Sequence, residues 1–376
     1  MKIINRTVSL FLFFTIGLSG CNSDSKDIEV LIEKLKTAGS VQSANIAIEL
    51  RKYPSESLEP TIPYLMNMLA DSTVMDLMSD YGFFSQMMYD GYTSPGLEAA
   101  KTISGIGAPA LPKLIKALSS PSAHTRKNAV FALGSIGDPR SIKPIINLIN
   151  IDTNSVIIVT ALHSLEKFKS DQSVYKTLIL ALNNKNEGVR SAALEVLGAQ
   201  EAKQAENFII IALKDNKASV RNSAVKTLGL LKSNKAEPYL IAALKDSDYM
   251  VRASAIESLE AIGSKNATDN LIYVVLNDNE EESNRISAIA TINDVKAVDP
   301  LLIILNDKRL VNLHKPAIWA LGRIGDKRAI ATLVELLNNK EFDFDIRIAL
   351  SNITGKSKNI NWSKWWEKNQ HTFSNN

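Results

Sequence analysis

The chain has 376 residues, a hydrophobic fraction of 45%, four histidines and a single cysteine. That length allows two or three domains or one long repeat array, and the apolar content is that of a folded chain, neither disordered nor repeatedly membrane-spanning. The formal net charge is +3, of which Lys2 and Arg6 supply two, so the remainder is nearly balanced and gives no electrostatic reason to expect a nucleic-acid partner.

The N-terminus predicts an export leader. Lys2 and Arg6 flank the start of an uncharged run, Val8 to Leu18. As a helix that run would rise about 16 Å, roughly half a bilayer core, which is too short for a permanent span. Leu18-Ser19-Gly20-Cys21 follows, and this resembles the bacterial lipobox. The resemblance implies a signal peptide over 1–20, cleavage before Cys21 and lipidation of that residue. Asn22 stands where an inner-membrane retention signal would carry Asp. For a host with two membranes, the implied address is the periplasmic face of the outer one. Residues 21–26 are a polar tether. With one cysteine, no intramolecular disulfide can form.

Residues 27–93 predict divergent N-terminal hairpins. Asp27–Leu35 and Val41–Tyr53 form one, and Pro60–Leu69 opens another. An insertion rich in Met and aromatic residues follows over 71–95, including Phe83, Phe84, Met87 and Met88. Two readings stand: an adaptable partner-binding loop, or extra core folded onto the hairpins.

Residues 94–356 carry an internal period. Val-Arg, then Ala three residues after the Arg, then Leu seven after it, recurs in Val189-Arg190, Val220-Arg221 and Val251-Arg252. The anchor alanines are Ala99, Ala129, Ala161, Ala193, Ala224, Ala255, Ala288, Ala317 and Ala349, spaced 29 to 33 residues apart. Around each, apolar residues fall at helical spacing, as in Val220, Ala224, Val225 and Leu228. A second apolar helix precedes it across a polar turn. One such hairpin cannot bury its stripe alone, so neighbours must stack. The expected fold is an all-α, right-handed solenoid (superhelix) of about nine hairpins with terminal caps.

Ala320-Leu321-Gly322-Arg323-Ile324-Gly325-Asp326-Lys327-Arg328-Ala329-Ile330 resembles the HEAT-like repeats of the phycobilin lyase type. That resemblance implies architecture, since such repeats serve unrelated tasks. The family's recurrent acid and arginine are present as Asp215 with Arg221, Asp246 with Arg252 and Asp278 with Arg285. They predict a structural ladder that caps second helices and cross-links repeats, with a functional site as the other reading. Residues 357–376 hold Trp362, Trp365 and Trp366 on one helical face. This resembles the closing segment of bacterial arrays of this type, and implies a C-terminal cap, with a ligand site as the alternative.

Chemistry is sparse. His124, His163, His314 and His371 are scattered, and no His-Glu pair, HExxH or GxSxG occurs. Gly105-Ile106-Gly107 follows a helix where a dinucleotide fingerprint needs a strand. No metal or cofactor is expected. What remains is a row two residues past each anchor alanine, pointing away from the packed stripe. Most members are polar or small, but Phe131 and Trp319 are large aromatics, and His163 lies between them in the row. Phe131, His163 and Trp319 are therefore candidate partner-binding residues, with simple packing between repeats as the rival reading. The expected function is a non-catalytic scaffold, lipid-tethered in the bacterial envelope, binding a protein or peptide. The runner-up is a lyase-like or other enzyme subunit acting on a protein-bound cofactor; nucleic acid is disfavoured.

Overall fold

The computed structural model describes residues 24–76 and 92–372. Cys21 and the residues before it lie outside the described residues, as do Phe83, Phe84, Met87 and Met88 of the insertion. The described chain is an all-α solenoid of stacked helical hairpins. It divides into two compact units, one through Gln200 and one from Glu201.

In the first unit, a helix over 24–37 and the helix Ser40–Leu50 precede Ile62–Met68, which pairs with Pro95–Ile106. Three regular hairpins follow: Leu111–Ala117 with Ala123–Ile136, Ile142–Ile151 with Ser155–Ser164, and Gln172–Ala181 with Glu187–Ala199. The ends of the insertion are closed by one two-residue antiparallel strand pair, Met75 opposite Thr93 and Asp76 opposite Tyr92. The second unit stacks Glu206–Ala212 with Ala218–Leu230, Glu237–Ala243 with Tyr249–Ile262, Thr268–Leu276 with Glu282–Thr291, Val298–Asn306 with Val311–Ile324, and Ile330–Glu335 with Asp343–Thr354.

All nine anchor alanines fall on second helices and are buried. Around them the apolar stripe is fully packed, as with Val220, Val225 and Leu228, each contributing about 2 kcal/mol relative to exposure. Local signals fix where the helices start and stop. Asp248 accepts the amides of Met250 and Val251, capping its helix. Gly325 ends its helix at φ 75°, a left-handed conformation that favours glycine, and Asp326 then accepts the amide of Arg328.

Close approach between second helices also has a sequence cause. A Cβ added at Gly322 would stand 2.8 Å from the Cα of Ala349, so only hydrogen fits there. This brings Val311–Ile324 and Asp343–Thr354 close enough for side chains one turn away to bond. Beyond the last hairpin, the helix Trp362–Asn369 buries Trp362 at 1% exposure, with Trp365 edge-on to it at 5.5 Å.

Candidate functional site

The acid–arginine ladder links neighbouring hairpins, each arginine pairing with the acid of the following turn. Arg221 sends Nε and Nη2 to the Asp246 carboxylate of the following hairpin, both at 2.7 Å, and Nη1 to the backbone oxygen of Asp215 at 3.0 Å. Arg252 does the same with Glu280 at 2.7 and 2.9 Å, and Arg126 with Asp152 at 2.7 and 3.3 Å. The residue six positions earlier thus gives its carbonyl, while the carboxylate comes from the next turn. Burial raises the pKa of Asp152, Asp246 and Glu280, but the guanidinium and amide donors outweigh it and hold each below the ordinary range. Arg285 breaks the series. It pairs with Asp278 of its own turn at 3.5 Å, gives Nε to the Val275 carbonyl, and leaves Nη2 buried without a hydrogen bond. His314 stands at the next arginine position, with Nε2 3.1 Å from the Asp307 carbonyl.

A second buried charge escaped sequence reasoning. Glu98, 2% exposed, accepts from Thr93 Oγ1 at 2.5 Å, Lys101 Nζ at 2.9 Å and Arg51 Nη2 at 2.5 Å. Burial pushes its carboxyl up, and these donors bring it below the usual value. The cluster ties the helix Ser40–Leu50 to Pro95–Ile106, because Arg51 also reaches Thr102. Its role is to anchor the divergent hairpin.

Along the row two residues past the anchors, side chains face solvent or are half-buried. Phe131 is half-buried on Ala123–Ile136. His163 is exposed, with Nε2 3.6 Å from Glu195 Oε2. Lys226 and Glu257 border a cavity of about 400 Å³ with Leu230 and Lys232, and they form no ion pair with each other. A larger cavity, about 460 Å³, opens beside Ile292 and Asp294. It lies past the end of the helix Glu282–Thr291, which has 10 residues against 14 in Tyr249–Ile262. Among the described residues no three His, Cys, Asp or Glu side chains converge as a metal set.

Trp319 is the member of the row with a constructed environment. It is 54% exposed, yet its indole N–H donates to Asp345 Oδ1 at 2.9 Å. Lys315 Nζ lies 5.1 Å from the ring centroid and 3.8 Å from Asp345 Oδ2. Asp345 occupies the position that Val189, Val220 and Val251 fill in their repeats, four residues before the anchor alanine. Its side chain is only 13% exposed. Sequence inspection singled out Trp319 but not Asp345; the available signal was an acid at a stripe position.

A family model for HEAT repeats matches residues 93–166, 205–289 and 283–353, more than half of the chain. The chain belongs to the HEAT-repeat family. Its all-α repeats superpose on YibA of Escherichia coli with a TM-score of 0.53 at 20% identity, over 68% of this chain and 96% of that one. A chain of the Kap95p–RanGDP structure gives a TM-score of 0.57 at 14% identity, over 93% of this chain and 51% of that one. These likenesses concern the HEAT fold alone. The CpcE–CpcF complex of phycocyanin lyase from Nostoc sp. PCC7120 matches at 20% identity over 61% of this chain and 93% of that one, but its TM-score of 0.36 carries no functional argument. No curated protein sequence matches this chain.

Proposed function

We propose that this HEAT-repeat chain is a lipid-tethered, non-catalytic interaction scaffold of the bacterial envelope, binding a protein or peptide on its second-helix face. The HEAT-repeat solenoid is an architecture suited to protein interaction, since stacked hairpins expose rows of side chains. The observation that carries the reading is Trp319: a large aromatic left more than half open to solvent while a mostly buried carboxylate fixes its orientation. Tryptophan held in place in advance loses little freedom on binding, which is the property of an interface anchor. The tether rests on Leu18-Ser19-Gly20-Cys21 after the apolar run. No helix among the described residues is long and apolar enough to cross a membrane.

The test places a photo-crosslinking residue at Ser351, which holds the row position of Trp319 in the next repeat, or at Ile211, exposed on a first helix, in intact cells. A discrete protein adduct from position 351 and none from 211 is expected. Equal labelling from both, or none from 351, would sink the scaffold face. Incorporation of an alkynyl fatty acid, abolished by Cys21→Ser, checks the tether separately.

A further inference from the structure

We propose that the face around Trp319 takes an acidic, extended peptide segment carrying a ring, proline or aromatic, that packs on the indole. The inference rests on the scaffold reading above and gives the partner its chemistry. Lys315, Trp319 and Arg323 form one exposed i, i+4, i+8 stripe on Val311–Ile324. Beside it, the loop after Asp343–Thr354 folds back along that helix. Ser351 Oγ donates to the Lys356 carbonyl at 2.6 Å, and Arg347 Nη1 to the Ile360 carbonyl at 3.3 Å. Lys358 Nζ then stands 5.2 Å from the ring of Phe344, itself 62% exposed.

The two carboxylates of the helix Asp343–Thr354, Asp343 and Asp345, are both engaged, by Arg347 at 2.8 Å and by Lys315 at 3.8 Å. Arg323 is spent on the backbone oxygens of Ala290 and Ile292, at 2.6 and 2.7 Å, which leaves its charge uncompensated. Lys356 and Lys358 have no carboxylate within ion-pair distance among the described residues. Unpaired cations around two exposed aromatics favour an anionic partner, and the steering weakens with salt. A basic segment would meet like charge, and a purely aliphatic one would leave these cations without a counter-ion. The two rings supply the anchor, because stacking on an oriented indole needs a flat partner surface.

The test uses the full chain in mild detergent and three fluorescein-labelled octapeptides, read by anisotropy at low and at 0.3 M salt (roughly the range where the Debye length falls below 10 Å). One peptide is acidic with a central Phe-Pro, one is acidic with Ala-Ala there, and one is the Lys counterpart of the first. The acidic ring peptide should bind about 10-fold or more tightly than either other, and lose a similar factor with Trp319→Ala and at high salt. Unchanged thermal unfolding of that variant keeps the readout separate from folding. Equal binding of the Lys peptide, or no loss with Trp319→Ala, overturns the proposal. So does binding to phosphatidylglycerol vesicles, through Trp319, in place of the peptide. Adducts from position 351 in cells without acidic-peptide binding would overturn this chemistry and leave the scaffold reading standing. The absence of both would end both.

Discussion

The indole N–H of Trp319 and the carboxylate of Asp345 meet at 2.9 Å, and each residue departs from the pattern of its own repeat. One puts a large ring where most repeats carry a polar or small side chain; the other puts an acid where Val189, Val220 and Val251 stand. Burying a carboxylate costs free energy unless it is bonded, and here the bonds come from Trp319 and Lys315. The pair is therefore a local sacrifice of packing that orients a surface aromatic.

Replacing Asp345 by Val should reverse that sacrifice. The variant is expected to be as stable as the parent or about 1 kcal/mol more so, since a well-packed apolar residue often equals a buried charge in stability. With 5-fluorotryptophan, the four tryptophans give separate resonances. The one lost in Trp319→Phe should narrow and move toward the free indole position in Asp345→Val. An unmoved resonance would show that the hydrogen bond does not orient the ring.

The ladder predicts a cost for breaking it that disappears when both partners go. Arg252→Met leaves the Glu280 carboxylate, only 3% exposed, without its bidentate partner, and should cost about 3 kcal/mol in urea unfolding. Adding Glu280→Leu should recover most of that. A single variant within about 0.5 kcal/mol of the parent would mean the pair is solvated, as surface pairs are.

Acid should release the N-terminal hairpin through Glu98. Its folded pKa is lowered, so the stabilisation is fully present above the ordinary glutamate value of about 4.3 and is lost as pH falls through the depressed folded value. Hydrogen exchange over Ser40–Leu50, corrected for intrinsic rates, should accelerate in that window. In Glu98→Gln the acceleration should vanish, with the segment already less protected at neutral pH. An unchanged acid profile in the variant would assign the effect to Asp152 or another ladder carboxylate.

Two glycine substitutions should part in sign. At Gly322 a Cβ would meet the Ala349 backbone at 2.8 Å, so Gly322→Ala should cost about 1–3 kcal/mol and displace the Trp319 resonance. At Gly105 a Cβ meets nothing within 4 Å on the helix Pro95–Ile106, so Gly105→Ala should stabilise by about 0.5–1 kcal/mol. Thermal unfolding of the two variants side by side tests both.

Much of the fold was legible in the sequence because stacking imposes a period. Every hairpin must hide the same stripe against its neighbours, so Ala99 through Ala349 recur at near-constant spacing, and glycine with aspartate marks the breaks at Gly325-Asp326. Local chemistry of this kind is written residue by residue, and so are the apolar run and the Leu18-Ser19-Gly20-Cys21 segment. What only the tertiary structure decided are the relations between residues one repeat apart. The sequence predicts a ladder that cross-links repeats, with Asp215 beside Arg221 and Asp246 beside Arg252, but that Arg221 takes its carboxylate from Asp246 is a relation in space. Neither Asp345 nor Glu98 stands out in the sequence; their roles follow from Trp319 lying against the one and Arg51 against the other. A hydrogen bond depends on distance in space to within a few tenths of an ångström, whereas a repeat pattern fixes only which face a residue occupies.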